Sequence, residues 1–386
     1  MATRICSTCM DVFLQAHHSR GPARGQDGRD FGNSDDFLQR EAQRVLEERK
    51  AFGLEGLVGG LDCVVINTEP AQQKAAVQEF LAYTGLDCEA AFEDAQAATC
   101  VLKVADSARF LVRSRKTASP FEKMSDFPKA RGLPNTRLET LVFEVADLER
   151  YVAIQKERGV NFLSDGIVRS DGYSFLQTIP STFSGISFGF IQWSGAVRDY
   201  ASSESTPLPW SFRKPENRLL FHIKELDHAA SRVEAKDRDP AIIEFMHLTN
   251  YRFDFSIYVE ALNSITNVAR LPGSKFAMVF TSGIHPYVDD ETSGPTEKFI
   301  HNYGKRVHHI AFRTENIEAT FDALKDNGME FLLGLVGSEE EGLKQTFSVP
   351  SAHTLLVNEY LCRYGDFDGF FTKGNVTLLT AATDKQ

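Results

Sequence analysis

The chain has 386 residues, which is enough for two domains of ordinary size. Hydrophobic residues make up 42% and charged residues 25%, a composition typical of a globular protein, and no apolar run is long enough to cross a membrane. The net charge of −11 argues against a general nucleic-acid or anionic-membrane surface, so neither partner is expected.

The cysteine pattern favours a reducing compartment. The six cysteines are sparse, and most of them stand in apolar runs (Cys6, Cys9, Cys63, Cys88, Cys100 and Cys362). This pattern does not indicate a disulfide framework, so we predict a cytoplasmic protein. Cys6 and Cys9 have the spacing of a zinc knuckle but lack a second ligand pair, and we interpret them as part of a mobile tail. Three arginines in the first 25 residues leave organelle targeting as an alternative.

Composition divides the chain into four segments. Residues 1–55 are interpreted as an N-terminal extension, partly disordered and partly helical, with a helix-forming composition over 35–50. A Pro- and Ser-rich stretch within 201–220 indicates a linker. The predicted domains are therefore 56–200 and 221–386.

An internal repeat relates the two halves. Residues 141–163 align with residues 310–332 at a constant offset of 169, without a gap, so that Phe143 matches Phe312 and Gly159 matches Gly328. Each copy has the pattern of a strand, an amphipathic helix ended by glycine, and a second strand.

A second match strengthens the repeat and predicts the fold class. Residues 59–68 resemble residues 224–233 and share a Leu-Asp pair. The chain therefore reads as four βαβββ units, two in each half. This is an α+β fold of two tandem domains with curved, open sheets, and a concave sheet face can hold a ligand.

The second half concentrates the metal-binding residue types. Eight of the ten histidines lie at or after position 222. His228 and His309 stand in the first predicted strands of units three and four, and Glu359 stands in the last strand. Two imidazoles and one carboxylate form the ligand set of mononuclear non-haem iron(II), which leaves coordination positions for substrate and dioxygen.

Strand alternation predicts which neighbours share the face of the ligands. Ile310 and Phe312 fall on one face, so His309 falls on the other and only one of His308 and His309 points at the site. By the same rule, Asp227 and Asn358 are assigned to the face opposite the ligands.

The first half has the scaffold pattern without the ligands. Cys63 stands where His228 stands, Thr140 where His309 stands, and Gln192 roughly where Glu359 stands. A hydroxyl and an amide are poor substitutes for an imidazole and a carboxylate, so no metal site is expected in the first domain.

The second half resembles 4-hydroxyphenylpyruvate dioxygenase, a family of the vicinal oxygen chelate superfamily. The resemblance rests on "LDH", "VHHIAFRTENIEATFDALKDNGMEFL", "LKQTFSVPSAHTLLVNEYLCR" and "DGFFTKGNV", in that order. It implies an Fe(II) cofactor held by His228, His309 and Glu359. It also implies a 2-oxo acid substrate that reacts with dioxygen by oxidative decarboxylation and hydroxylation, as in aromatic amino acid catabolism.

The resemblance also implies a set of substrate-binding positions. These are Ser264, Thr281, His308, Gln345, Phe347, Phe370 and Asn375. Two of them depart from the family, because Thr281 replaces an Asn and His308 replaces a Gln. The segment between His309 and Glu359 is also shorter than its family counterpart. Changed polar groups alter specificity, because a buried unpaired polar group is unfavourable.

Several alternatives stay open at this point. An aryl-pyruvate such as 4-hydroxyphenylpyruvate, giving a homogentisate-type product, is the expected substrate, and 4-hydroxymandelate formation or another 2-oxo acid is the alternative. A glyoxalase or extradiol enzyme, or a non-catalytic binding protein, would use the same scaffold. A homodimer and a homotetramer are both compatible with the sequence.

Overall fold

A computed structural model describes residues 32–367 and 369–386 of the chain. The predicted N-terminal features that involve Cys6, Cys9 and the first 25 residues lie outside these ranges. None of the helices in the described ranges is both long and apolar enough to serve as a membrane span.

The described residues form seven α-helices and 17 β-strands. The helices are α1 Asp35–Phe52, α2 Gln73–Tyr83, α3 Leu148–Glu157, α4 Arg238–Leu248, α5 Gly294–Tyr303, α6 Ile317–Asp326 and α7 Lys373–Ala382. The strands of the first half are β1 Val58–Asn67, β2 Asp87–Glu93, β3 Ala97–Lys103, β4 Arg109–Arg115, β5 Arg137–Val145, β6 Val168–Arg169, β7 Tyr173–Gln177, β8 Ser187–Trp193 and β9 Thr206–Pro207. The strands of the second half are β10 Ile223–Arg232, β11 Arg252–Val259, β12 Ser264–Arg270, β13 Ala277–Ser282, β14 Arg306–Thr314, β15 Val336–Ser338, β16 Leu343–Phe347 and β17 Val357–Arg363.

The order of elements contains four βαβββ units. They are β1-α2-β2-β3-β4, β5-α3-β6-β7-β8, β10-α4-β11-β12-β13 and β14-α6-β15-β16-β17. The predicted α+β class and its four units are therefore confirmed. Helix α5 is inserted between units three and four, α7 follows unit four, and α1 precedes unit one.

The units pair into two mixed sheets. The first sheet has the strand order β6-β7-β8-β5-β1-β4-β3-β2-β9, and the second has the order β11-β12-β13-β10-β14-β17-β16-β15. Apart from β9, each strand of one sheet has a counterpart at the matching position of the other. Strand β1 is parallel to β4 and antiparallel to β5, and β10 has the same relation to β13 and β14.

The matched helices α3 and α6 begin and end in the same way. Asp147 caps α3 and Asn316 caps α6, each through a side-chain oxygen that accepts a backbone N–H at 3.0 Å. Gly159 and Gly328 follow the two C-termini with φ of 83° and 89°, a left-handed conformation that suits glycine. The predicted glycine stop is therefore confirmed in both copies.

The main core lies between the two halves. Phe110 of the first sheet stacks on Phe312 of the second, with ring centroids 5.7 Å apart. Helix α1 contributes to this packing, because the buried guanidinium of Arg49 donates to the backbone carbonyls of Thr249 and Tyr251 at 2.7 and 2.8 Å. The described part of the N-terminal segment thus packs against the second half. Within the predicted linker, β9 pairs with the edge strand β2.

Candidate metal centre

Three adjacent strands, β10, β14 and β17, bring the predicted ligands together. Ala311 pairs with His228 on one side and with Glu359 on the other. His309 is two residues from Ala311 and therefore shares its face of the sheet. The methyl group of Ala311 leaves the space between these three side chains open.

The three ligand side chains are buried and converge on one point. Nε2 of His228 lies 3.0 Å from Oε2 of Glu359, and Nε2 of His309 lies 3.4 Å from the same oxygen. One nitrogen or oxygen of each residue falls within 4.8 Å of the others. In the described ranges, this is the one group of three or more His, Cys, Asp or Glu side chains with such spacing.

The donor atoms fit a first-row divalent metal ion. Two imidazole nitrogens and a carboxylate oxygen suit iron(II), and their number leaves positions for exogenous ligands. Nε2 of His228 is buried, and although it lies 3.0 Å from Oε2 of Glu359, the two atoms are not aligned for a hydrogen bond. A buried polar atom without a partner is unfavourable, and a coordinated metal ion would satisfy this one.

Asp227 contacts the back of the His228 ring. Its Oδ1 lies 2.8 Å from Nδ1 of His228, and Arg363 binds both of its carboxylate oxygens. Burial alone would raise the pKa of Asp227, but Arg363 and His228 outweigh burial and hold that pKa well below its ordinary value. An ionised carboxylate behind a histidine ligand fixes the ring orientation and strengthens the ligand.

The prediction that Asp227 faces away from the ligands is wrong. Leu226 pairs with Phe312 and His228 pairs with Ala311, so β10 has one extra residue, Asp227, at this point. Such a β-bulge interrupts the alternation of faces, which is why Asp227 lies beside its own neighbour in the chain.

A second bulge explains the adjacent histidines. Ala230 pairs with His309 and Ser231 pairs with Val307, so His308 is the extra residue on β14. The expectation that only one of the two histidines faces the site is therefore wrong, since His308 and His309 both line the cavity described below. Their Nδ1 atoms are 2.9 Å apart.

The contacts of His308 define a consistent protonation pattern. Nε2 of His308 lies 2.8 Å from Oε1 of Gln386. All contacts are satisfied when His308 donates to Gln386 and His309 donates from Nδ1 to His308. This arrangement leaves Nε2 of His309 unprotonated on the side of Glu359, as a metal ligand must be.

The two histidine ligands differ in their electrostatics. Burial, together with His308, His228 and Arg232, holds the pKa of His309 well below its ordinary value. Burial also acts to lower the pKa of His228, but the carboxylates of Glu359 and Asp227 outweigh burial and raise it to about 9. The two carboxylates thus favour a proton on His228, which would have to leave before this nitrogen could bind a metal ion.

A short hydrogen-bond chain holds Glu359. Nε2 of Gln345 donates to Oε1 of Glu359 at 2.5 Å, and Nδ2 of Asn375 donates to Oε1 of Gln345 at 2.9 Å. Asn375 lies on α7, so this chain links the C-terminal helix to the carboxylate. Gln345 thus contacts Glu359 directly, Asn375 contacts Gln345, and neither residue lines the cavity.

A cavity of about 40 Å³ lies beside the triad. His308, His309 and Glu359 line it together with Arg232. Its remaining wall consists of apolar side chains and hydroxyls: Val279, Phe347, Phe371, Val376, Leu379, Thr266, Thr281, Thr296, Thr380 and Thr383. Residues of helix α7 and Thr383 directly after it form the cavity wall that lies across from the sheet.

The predicted substrate positions divide into two groups. Thr281, His308 and Phe347 line the cavity, and the Phe347 ring lies 4.8 Å from that of His309. Ser264 does not line it, and its hydroxyl lies 3.2 Å from that of Thr296, which does. Phe370 also lies outside the lining, with its ring 5.7 Å from that of His228.

Sequence reasoning missed several cavity residues. Phe371 rather than Phe370 forms the aromatic wall next to the triad. Arg232, four residues after His228 on a regular strand, was recoverable from alternation, since the two positions share a face. The threonines of α5 and α7 gave no signal, because their helices reach the sheet only through tertiary packing.

The equivalent place in the first half is filled. Strand pairing puts Cys63 and Thr140 at the positions of the two histidines, as predicted, but it puts Gly189 at the position of Glu359. The assignment of Gln192 is wrong by three residues. A Cβ atom at Gly189 would lie 3.0 Å from the ring of Phe175, so there is no room for a carboxylate.

No family model matches the sequence, and no curated protein sequence matches it either. The structure is similar to a triple mutant of 4-hydroxymandelate synthase from Streptomyces coelicolor, with a TM-score of 0.64 and 16% identity over 85% of this chain and 98% of that chain. It is also similar to a fusion of a xylose isomerase-like TIM barrel with 4-hydroxyphenylpyruvate dioxygenase. For that protein the TM-score is 0.59 and the identity 14%, over 90% of this chain and 58% of the fusion.

A more distant match is the Mn(II)-bound glyoxalase from Novosphingobium aromaticivorans, with a TM-score of 0.47 and 11% identity over 80% of this chain and 83% of that one. The similarity to the first two structures shows the fold. The chain has the fold of these two structures, with its four βαβββ units paired into two mixed sheets.

Proposed function

We propose that this protein is a non-haem iron(II) oxygenase that acts on a 2-oxo acid in its second half. The observation that carries the proposal is the convergence of His228, His309 and Glu359 on one buried point beside a cavity. The resemblance of the second half to 4-hydroxyphenylpyruvate dioxygenase supports iron and a 2-oxo acid as the partners of this site.

His228, His309 and Glu359 would hold the metal ion. A bound iron(II) ion would supply coordination positions for a 2-oxo acid and dioxygen and would polarise the keto group. The carboxylates of Asp227 and Glu359 offset the positive charge of the metal and Arg363. His309 is kept neutral for ligation by burial and by its neighbour His308.

The cavity wall favours a substrate with an aromatic or apolar part. Phe347 and Phe371 present ring surfaces close to His309 and His228, with centroid distances of 4.8 and 5.2 Å. We propose an aryl-pyruvate such as 4-hydroxyphenylpyruvate as the substrate type, with a homogentisate-type or hydroxymandelate-type product. Thr281 and His308 would contact its far end.

Binding of such a substrate requires a rearrangement of side chains. A volume of about 40 Å³ holds only a few water molecules. Val376 and Leu379 of α7 line the cavity and are the side chains whose displacement would enlarge it. The same helix excludes bulk water from the site when it is in place.

Oxygen uptake tests this proposal. The protein is loaded with Fe(II) under anaerobic conditions, and oxygen consumption and carbon dioxide release are measured with 4-hydroxyphenylpyruvate and a panel of other 2-oxo acids. We expect stoichiometric uptake and release with at least one acid. His309→Ala and Glu359→Ala should abolish both, and Cys63→Ala at the equivalent place in the first half should not. Iron binding without turnover of any 2-oxo acid would favour an isomerase or extradiol enzyme, and absence of metal binding would favour a binding protein.

A further inference from the structure

The cavity contains a buried cation that has no anionic partner in the described ranges. Arg232 is 4% exposed, and its one hydrogen bond there runs from Nη1 to the carbonyl oxygen of Pro295, at 3.4 Å. The ring of Phe299 lies 4.5 Å from the centre of the guanidinium group and covers one of its faces. No carboxylate among residues 32–367 and 369–386 forms an ion pair with it.

Among the buried arginines without an ion pair in the described ranges, Arg232 is set apart by its place in the cavity wall, which Arg306 and Arg137 do not line. Two other buried arginines have a carboxylate nearby. Arg238 contacts the carboxylates of Asp35 and Asp239, and Arg49 donates to backbone carbonyls and lies 3.7 Å from Glu55. An uncompensated buried charge is strongly unfavourable, so its presence in a cavity indicates that a ligand completes the pair. Burial alone lowers the pKa of Arg232 to about 9, with no opposing contribution from a neighbouring acid.

Arg232 shares a strand with His228 and lines the same cavity as the candidate ligands His309 and Glu359. His228, Ala230 and Arg232 alternate onto one face of β10, which pairs with β13 without a shift from His228 to Arg232. Four residues of strand span roughly 13 Å, with only the small Ala230 between the two ends. The guanidinium therefore belongs to the end of the cavity that is distal to the metal.

Polar neighbours complete this distal end. Thr281 pairs with Arg232 across the two strands, and its buried Oγ1 has no hydrogen-bond partner among the described residues. Arg306 is the other cross-strand neighbour, but it does not line the cavity, and it donates to the backbone carbonyl of Thr136. A guanidinium with a free hydroxyl beside it is a donor set for a carboxylate, sulfonate or phosphate group.

We infer that the substrate is a 2-oxo acid with a second anionic group at its far end, which Arg232 and Thr281 bind. This inference rests on the proposed function, because it assumes that the 2-oxo acid end lies at the metal. Within the proposed class of aryl-pyruvates and other 2-oxo acids, a monoanion such as 4-hydroxyphenylpyruvate would leave Arg232 uncompensated, so the inference favours a dianionic member of the class. The dianion would satisfy the metal and the guanidinium together, with Phe347 and Phe371 against the connecting part.

Calorimetric titration of matched acids tests the inference without turnover. Under anaerobic conditions, the Fe(II)-loaded protein is titrated with phenylpyruvate against (4-carboxyphenyl)pyruvate, and with 2-oxopentanoate against 2-oxoglutarate, which cover two lengths. In at least one pair, we expect the dianion to bind about tenfold tighter or more, as a charge-assisted contact predicts. Arg232→Met should abolish that preference and leave the affinity for the monoanion unchanged. The unchanged monoanion affinity also shows that the variant is folded.

Arg232→Lys is the second variant, since it keeps the charge but loses the two-pronged donor geometry. It should retain part of the preference, and it supplies the test should Arg232→Met fail to fold. Equal affinity of dianion and monoanion in both pairs, or a preference that survives in Arg232→Met, would overturn the inference.

The outcomes separate this inference from the oxygenase proposal. Monoanions that bind and are turned over, with no preference for dianions, would refute the distal anion site alone. An Arg232-dependent preference without oxygen uptake would refute the oxygenase and leave the anion site standing. Failure of all four acids to bind the iron-loaded protein would overturn both.

Discussion

The carboxylate of Asp227 lies 2.8 Å from Nδ1 of His228, its neighbour in the chain, because a bulge in β10 places both side chains at the site. Arg363 binds the other side of that carboxylate. The result is an ordered series of charges, Arg363, Asp227 and His228, that ends at the candidate metal position. This series ties the orientation of one ligand to a strand, β17, that also supplies Glu359.

Removing the charge behind His228 should weaken metal binding. Asp227→Asn keeps the shape but loses the carboxylate that orients the ring, so we expect the affinity for Fe(II) or Mn(II) to fall by about 10- to 100-fold. Competition with a chelator of known affinity measures the change. Asp62→Asn is the matched control, because Asp62 is the bulged residue before Cys63 in the first sheet. An unchanged affinity in Asp227→Asn would refute this role.

Removing the hydrogen bond that Gln345 donates to Glu359 should also weaken metal binding. Gln345→Leu removes the hydrogen bond to Oε1 and leaves a buried carboxylate oxygen without that partner. We expect the metal affinity to fall by about tenfold, since partners of ligating carboxylates contribute in this range. Thr346→Val, at the next position of β16, removes a hydrogen bond to the carbonyl oxygen of Leu333 and should leave metal affinity unchanged. Equal effects of both changes would indicate general destabilisation instead.

The first half should reject a side chain at the position that matches Glu359. A Cβ atom at Gly189 would meet Val142 at 2.9 Å and Phe175 at 3.0 Å, so Gly189→Ala should lower the free energy of unfolding by about 1–3 kcal/mol. Chemical denaturation measures this value. Gly59→Ala is the control, because its nearest contact would be 3.6 Å and its effect should stay within about 0.5 kcal/mol. If Gly189→Ala left the free energy of unfolding unchanged, the first sheet would have room for a side chain at the position that matches Glu359.

His247 should make the protein sensitive to acid. Burial and the guanidinium groups of Arg158, Arg44 and Arg49 hold the pKa of His247 well below its ordinary value. Below pH 6.5 the unfolded chain takes up a proton that the folded chain refuses, so the free energy of unfolding falls as the pH falls. The slope from this one group is at most about 1.4 kcal/mol per pH unit.

Urea denaturation of the wild type and His247→Gln between pH 4.5 and 7.5 checks this account. The variant should lose part of the wild-type slope below pH 6.5, and the two slopes should agree above it. His353→Gln is the control, because His353 contacts the side chain of Gln72 instead of a cluster of cations. Identical slopes of wild type and His247→Gln across the acid range would contradict the assignment.

Repeats and residue types made much of the fold and the triad predictable. The constant offset between residues 141–163 and 310–332 predicted the repeated unit. The positions of His228 and His309 in the first strands of units three and four predicted which face of the sheet holds the candidate ligands. Both follow from local periodicity, which the sequence carries directly.

The errors arose where geometry departs from periodicity. Two bulges placed Asp227 and His308 at the site, and a bulge leaves no distinct residue pattern. Gly189 was missed because the equivalent strand was aligned by its polar residue instead of its pairing. The threonines of α5 and α7 depend on how helices dock on a sheet, which no local pattern records.

The central claim is that His228, His309 and Glu359 hold an iron(II) ion that binds a 2-oxo acid. The most direct measurement is the anaerobic visible spectrum of the protein with Fe(II) and the tightest-binding acid of the panel. Chelation of iron(II) by a 2-oxo acid should give a weak charge-transfer band that needs both components, and that band should be absent from His228→Ala and Glu359→Ala. No band with any acid, or the same band in both variants, would contradict the claim.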